Sequence, residues 1–502
     1  MAEIARGTQL IKGGRIVDAA LARGTVADIL VQDGVIAAIG PDLAAPAGAT
    51  VIAAENCLLH PGLINAHTHG HGGLQKGTSD AWTLEMLLAA GPWLSGGRHL
   101  QDRRLGTLLC AAEMALKGCT AAYDLSGELP LPTVEGFDAC AEAYASVGLR
   151  AVLAPMVADL TLYQAIPGLF DALPTALQAE VEKLRLEPGE ATLAAMRKIL
   201  HGWRWASHGI LPALAPTIPL HCTDAFMTGC AALAREYGAR LHSHVGESRI
   251  QATTGMRRYG RTLLAHMDAL GLVDEKFTVA HGIWLDDDDL KLLAGRGGSI
   301  AHNPGSNMKL GNGLARMRAM LDAGVTVGLG TDGPGSADNQ NMFEAMRGAA
   351  RLSRATPDPR AWVTATEAYA AATEGSARAL GFEKCGRIAV GYHADLVFLD
   401  LGTVNWLPHN NSVNQLVHVE DGQAVRHVMV AGSFVVRDRA LTRIDLPRLA
   451  QETEAARERL EAATADAQAL FHRLAPVVAS FCPGLAAVPY QIRRYLDSPP
   501  GF

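Results

Sequence analysis

Eight short apolar runs, separated by stretches of helical periodicity, constrain the fold of this chain more than any other feature. They read GLINAHTH (62–69), CTAAYD (119–124), RAVLAP (150–155), ILPALAP (210–216), ARLHSH (239–244), FTVAH (277–281), GSIAHN (298–303) and VTVGLGTD (325–332). Parallel strands cannot be joined by a tight turn; each needs a crossover, usually a helix. DRRLGTLLCAAEMALKG and DAFMTGCAALAREYG are two such crossovers. Eight repeats of strand and helix predict an α/β fold, a closed (β/α)8 TIM barrel. The connections after the first and third runs (70–118 and 156–209) are long. Loops of that size at the C-terminal face of a barrel shape or cover an active site.

The 502 residues exceed what one barrel requires. Glycine-punctuated apolar runs fill the start of the chain: TQLIKGGRIVD, ADILVQDGVIAAIG and ATVIAAENCLLHPG. The same texture returns in GRIAVGYHADLVFLD and RHVMVAGSFVVRD. These two segments predict a small β-sandwich built from both ends of the chain. The domain reading is therefore an N-terminal sandwich segment at 1–60, the barrel at 61–384, a C-terminal sandwich segment at 385–440 and a helical extension at 441–502. Ala, Glu, Arg and Leu recur at helical spacing in that extension.

A net charge of −7 gives no reason to expect nucleic acid or an anionic membrane as partner. No apolar run is read as reaching the roughly 20 residues of a membrane span, and MAEIARGTQLIKGG lacks a cleavable apolar core. The expected location is the cytoplasm. The eight cysteines form no CxxC pair and read as reduced, buried small residues.

The polar residues at the ends of these runs carry the chemistry. The first run ends in His67-Thr68-His69, and alternation puts i and i+2 on one face, so both imidazoles can meet one ion. The fifth ends in His244, the sixth in His281, the seventh in His302 and the eighth in Asp332. In a barrel these ends converge on one mouth. Imidazole and carboxylate together suit zinc, iron or a similar first-row ion.

These segments also resemble a known family. PGLINAHTH (61–69) resembles the opening metal motif of the amidohydrolase superfamily, and HVGES (244–248) the HxxE motif of its deaminase and chlorohydrolase branch. AHNPGSNMKLGNG (301–313) and GTDGPGSADNQNMFEAMR (330–347) are similar to two further signatures of that branch. By motif the chain is most similar to adenosine, S-adenosylhomocysteine and guanine-type deaminases and to s-triazine hydrolases. The resemblance implies that His67, His69, His244 and Asp332 bind metal and that Glu247 is the acid/base. It makes His281 a ligand or a partner of the attacking water, and Asp332 a proton acceptor as well. Branches with two ions bridge them with a carboxylated lysine on the fourth strand, and ILPALAP has none. One divalent ion is therefore expected, zinc ahead of iron. The implied reaction is hydrolysis of a non-peptide C–N bond, foremost deamination of a small aminated heterocycle with release of ammonia. Dechlorination, alkylamine release and cyclic-amide opening are alternatives at the same site, and an inactive scaffold is a further one. The family also implies a homo-oligomer, dimer or higher.

Where nucleoside-type relatives carry APHAPYTC, this chain has APTIPLHCT (215–223). Thr217 stands in the place of the histidine, with His221 four residues later. GPWLSGG (91–97) lacks the glutamate of the relatives' WPxE element. Gln75, Trp93, Thr217, His221 and Asn303 are candidate substrate contacts, with Trp82 beside Trp93 as a second stacking surface. His71 reads as a loop residue and His242 as a packed barrel residue. Asp286 to Asp289 read as the solvated start of a helix.

Overall fold

The computed structural model describes residues 7–495. Residues 1–6 and 496–502, at the outer ends of the first and last segments of the domain reading, lie outside the described residues.

Eight parallel strands form the central barrel: β1 Leu63–Thr68, β2 Cys119–Gly127, β3 Arg150–Val157, β4 Ile210–Pro216, β5 Arg240–Val245, β6 Phe277–His281, β7 Ser299–His302 and β8 Thr326–Leu329. They pair in chain order from β1 to β8. The ring closes beyond β8, where Asp332 N donates to His67 O at 2.9 Å and Thr331 N to Asn65 Oδ1 at 3.1 Å. Local signals set the crossovers. Thr133 and Thr223 cap helices Val134–Val147 and Asp224–Tyr237, and Gly148 and Gly238 end them at positive φ. Strand residues such as Leu153, Leu241 and Val279 pack with helix residues such as Phe137, Met227 and Leu293 in the main core. The cysteines are all free and buried.

Both ends of the chain build one nine-stranded mixed sheet. Its strand Cys57–Pro61 pairs in parallel with Thr8–Asp18 and antiparallel with Leu396–Asp400. Ile29 and Ile36 share a buried cluster with Phe398 and Met429, so the two terminal segments have a common core. Arg150, at the start of β3, joins the barrel to this sheet through Asp395, with Nε–Oδ2 at 2.9 Å.

Helices Leu446–Ala463 and Ala465–Ala486 follow the sheet. The second corrects the expectation about membrane-length segments. Its 22 residues, with mean hydropathy 1.3, are long and apolar enough to cross a membrane by composition. Four of its residues, Phe471, Leu474, Val478 and Cys482, are buried in a cluster with Ala89, Leu162 and Ile250, while most of its apolar stretch is not buried. The acidic run is also less solvated than expected. Asp286 caps helix Asp287–Arg296, but Asp289 is buried and accepts from Thr262 Oγ1 at 2.5 Å.

Candidate metal centre

Five side chains from four strand ends meet at the C-terminal mouth. His69 Nε2 lies 3.2 Å and His67 Nε2 3.5 Å from Asp332 Oδ1. His244 Nε2 lies 3.3 Å from His69 Nε2, and His281 Nε2 is 3.9 Å from Asp332 Oδ2. Donor atoms of His67, His69 and Asp332 lie within 4.8 Å of one another, as do those of His67, His244 and His281.

The backbone aims these groups. Strict alternation would put His281 on the face of Phe277 and Val279, which belong to the outer core. Instead His281 has φ 67°, and its ring centroid lies 5.5 Å from that of His244. Asp332 has φ 63°. Left-handed backbone at a non-glycine residue costs roughly 1–3 kcal/mol and persists where the surroundings enforce it. The glycines on either side of Asp332 answer to space. A Cβ on Gly330 would come within 2.8 Å of His67 O, and one on Gly333 within 2.9 Å of His69 Cβ.

Backbone and side-chain partners fix which nitrogens face inward. His69 Nδ1 contacts Leu125 O at 2.7 Å, His244 Nδ1 contacts Thr217 O at 2.6 Å and His281 Nδ1 contacts Asn307 Oδ1 at 2.8 Å. Each Nδ1 therefore carries the proton, and each Nε2 turns a lone pair to the centre. Among the described residues, buried His67 Nε2 and His281 Nε2 meet no hydrogen-bond partner. Buried polar groups left unpaired are costly, and bound ligands are one way to satisfy them. Burial pushes His67 down to about 4, and burial with the neighbouring histidines holds His244 well below the usual range. Burial also works to lower His69, but the Asp332 carboxylate outweighs it and the net shift is upward. Burial would raise Asp332, but His67 and His69 hold it well below the usual carboxylate range. Imidazole nitrogens gathered around an ionised carboxylate form a donor set that fits a divalent first-row ion.

Glu247 stands beside this set, with Oε1 3.7 Å from His281 Nε2. Burial, then the nearby Asp332 charge, pushes its carboxyl well above the usual range. Asn312 Nδ2 donates to Oε1 at 3.2 Å, and Gln251 Oε1 accepts from Glu247 N at 3.1 Å. Gln251, Ser306, Asn307 and Asn312 contact these groups directly, and sequence reasoning misses them. The last three lie within AHNPGSNMKLGNG, whose polar letters divide the labour of orienting Asp332, His281 and Glu247.

A cavity of about 180 Å³ opens onto His69, His244, Glu247 and Asp332. Gln75, Thr217 and His71 line it. Three other candidates do not. Trp93 packs against Phe471, ring centroids 5.6 Å apart, on the C-terminal helix. His221 is buried, and its carbonyl accepts from Leu160 N at 3.0 Å. Asn303 sits behind His281, with Nδ2 3.4 Å from Nδ1. Trp82 joins Trp93 and Phe471 in the same aromatic cluster. His302 shares the face of Ile300, in the outer core, and is absent from the donor set. His242 is a layer deeper, against Tyr123 at 4.5 Å between centroids.

Comparison with known proteins follows the same lines. Residues 58–435 match the Amidohydrolase family. A 5-methylthioadenosine/S-adenosylhomocysteine deaminase from Natronomonas pharaonis is 33% identical over 450 residues, covering 89% of this chain and 96% of the relative. An adenosine deaminase from Xanthomonas campestris with bound zinc superposes with TM-score 0.80 at 29% identity, over 91% of this chain and 99% of the other. Atrazine chlorohydrolase from Arthrobacter aurescens, complexed with zinc, superposes with TM-score 0.80 at 26% identity, over 89% and 99%.

Proposed function

The chain belongs to the amidohydrolase family, and from that premise we propose that it is a metal-dependent hydrolytic deaminase of a small, uncharged aminated heterocycle. The observation that carries the reading is the set of inward lone pairs around Asp332, with the buried carboxyl of Glu247 beside it. His67, His69, His244 and Asp332 would hold one divalent ion, zinc before iron, and His281 would be a further ligand or orient the attacking water. Strand β4 offers no lysine to bridge a second ion. Such an ion supplies the acidification of water, toward a pKa of about 7, that makes a nucleophile at neutral pH.

The protein's own groups move the protons. Glu247, whose carboxyl is pushed well above the usual range by burial, can give a proton to a ring nitrogen or to the departing amine and take one back from water. Asp332, held ionised, can accept a proton from the attacking water. Gln75 and Thr217 would meet the heterocycle.

The cavity wall narrows the substrate. Leu84, Leu87, Leu88, Leu94, Ile218 and Leu310 line it, and among the described residues no lysine or arginine does. A phosphate or amino-acid tail would be buried there without a cationic partner, which is costly. The test is a pair that shares one adenosine head: 5-methylthioadenosine, with an uncharged tail, and S-adenosylhomocysteine, with a charged one. Ammonia release should favour the uncharged member in kcat/KM by at least about tenfold, the equivalent of roughly 1.4 kcal/mol. A preference for the charged member would overturn the substrate reading. The apolar wall also favours a second reading, expulsion of chloride or an alkylamine from a substituted triazine. Chloride and amine assays separate it from deamination.

A further inference from the structure

The scaffold that holds Glu247 reaches into the far C-terminal segment. Asn312 Nδ2 donates to Glu247 Oε1 at 3.2 Å. The carbonyl of Asn312 accepts from Trp284 Nε1 at 2.8 Å. Trp284 N donates at 2.8 Å to Gly246 O, one residue before the glutamate. Buried Trp284 therefore braces both the loop that carries Glu247 and the asparagine that orients its carboxyl.

Trp284 is fixed in turn from a part of the chain over 200 residues away. Arg494 Nε donates to Ile283 O at 2.7 Å and Nη2 to Leu285 O at 2.8 Å, gripping the carbonyls on both sides of the tryptophan. Arg494 O accepts from Leu314 N at 2.7 Å, which ties the tail to the segment bearing Asn312. Ile492 shares a buried cluster with Ile283 and Trp284, and the Tyr495 ring lies 5.4 Å from the Trp284 ring. Arg494 Nη1 donates to its neighbour's carbonyl, Arg493 O, so each guanidinium nitrogen ends on a backbone carbonyl. A buried guanidinium spent on carbonyls is an expensive way to fill space. Its rigid planar fork is, however, suited to fixing the separation of two acceptors.

We propose that Arg494 is a positioning residue for catalysis: through Trp284 and Asn312 it holds the Glu247 carboxyl in place for proton transfer. The proposal rests on the acid/base reading of Glu247. A small misplacement of a reacting group can cost about 10²-fold in rate.

The experiment is a double-mutant cycle on the full-length, metal-loaded protein. The probe is 5-methylthioadenosine, or melamine if that is turned over faster. Arg494→Ala should lower kcat by about 10–10²-fold, with KM and metal content nearly unchanged. Arg494→Lys, which keeps the charge and loses the fork, should recover only a fraction of the rate. In the Glu247→Gln background, Arg494→Ala should cost almost nothing more, because its effect passes through the missing carboxyl. Trp284→Phe removes the Nε1 hydrogen bond and keeps a smaller aromatic ring in place, so it serves as a second break in the same chain should Arg494→Ala fold poorly. The same non-additivity is expected of it. Equal losses in both backgrounds, or an unchanged kcat in wild-type background, would overturn the proposal. Near-normal kcat in Glu247→Gln alone would overturn the acid/base reading beneath it.

Discussion

Two buried polar clusters sit at opposite ends of the barrel strands, and they are built on opposite rules. At the start of β3, Asp395 Oδ2 accepts from Arg150 Nε at 2.9 Å, and Oδ1 accepts from Arg150 Nη2 at 3.3 Å and Ala431 N at 2.7 Å. Charge meets charge, and the carboxylate is fully occupied. At the C-terminal mouth, among the described residues, His67 Nε2 and His281 Nε2 meet no hydrogen-bond partner, and His281 and Asp332 hold left-handed backbone. A cluster that completes its own hydrogen bonds stabilises the fold. A cluster that leaves them open, under strain, is arranged for something that comes from outside. The division matches the general asymmetry of such barrels, with function at one face and stability at the other.

If that contrast is right, Asp332→Ala should have the largest effect at the mouth. It removes the carboxylate around which His67 and His69 gather. Activity should disappear, and elemental analysis should show loss of bound metal, while the melting temperature of the metal-free protein falls little. Chelation of the wild type should reproduce the loss, and zinc should reverse it. A metal-free preparation with full activity would erase the distinction between the two clusters. Glu247→Gln comes next. It keeps the ligand set, so metal should remain while kcat falls by about 10²–10⁴-fold. Metal lost together with activity would make Glu247 a member of the holding set rather than a proton carrier.

How far the sequence reveals this contrast depends on what kind of information each residue carries. The barrel is legible because eight strand–helix alternations leave few other folds, and His67 with His69 because a two-residue spacing gives a shared face. Strand-end position gives a residue's layer but not its direction. His302 ends a strand as His281 does and is likewise buried, yet only His281, with its left-handed φ, joins the donor set. No residue letter announces that turn. Trp93 is legible as a ring in a long loop but not as a partner of Phe471, because that contact joins distant segments of the chain. Asn307 and Asn312 are visible within a motif, but their separate tasks appear only once the loop is folded around His281 and Glu247.

The closed cluster should respond in stability instead of rate. Removing one partner of a buried ion pair costs about 3–5 kcal/mol. Asp395→Ala should therefore lower the denaturant midpoint strongly, yet leave kcat per folded, metal-loaded molecule unchanged. Its pH dependence has a definite sign. Burial would raise the Asp395 carboxyl, but Arg150 holds it below its ordinary value. The folded-state pKa is thus lower than the unfolded one, near about 3.9. The stabilisation is fully present above about pH 4 and is lost as pH falls through the folded value. The difference in midpoint between wild type and Asp395→Asn should shrink as pH is lowered from about 6 to about 3. A difference that grows instead would mean that Asp395 is not held ionised by Arg150.

The smallest effect is expected where an aromatic side chain lies close to the mouth without belonging to it. Trp93 sits in the long connection after β1, in the segment Gly91–Ser95 that also supplies Leu94 and Ser95 to the cavity wall. Its ring faces the other way, toward Trp82 and Phe471. Trp93→Phe shortens that ring and keeps an aromatic in the cluster. The lost packing should cost about 1 kcal/mol of stability, in the range of ordinary substitutions. Both kcat and KM should stay within about threefold, since a difference of that size is only about 0.65 kcal/mol. The measurement that matters is KM, because it reports whether the loop changes its packing when substrate binds. A rise of about tenfold or more with kcat unchanged would show that Trp93 contributes uniform binding energy to the substrate. The aromatic cluster would then belong with the open mouth, and the boundary between groups that finish the fold and groups that await a ligand would have to be drawn on the far side of the C-terminal helix.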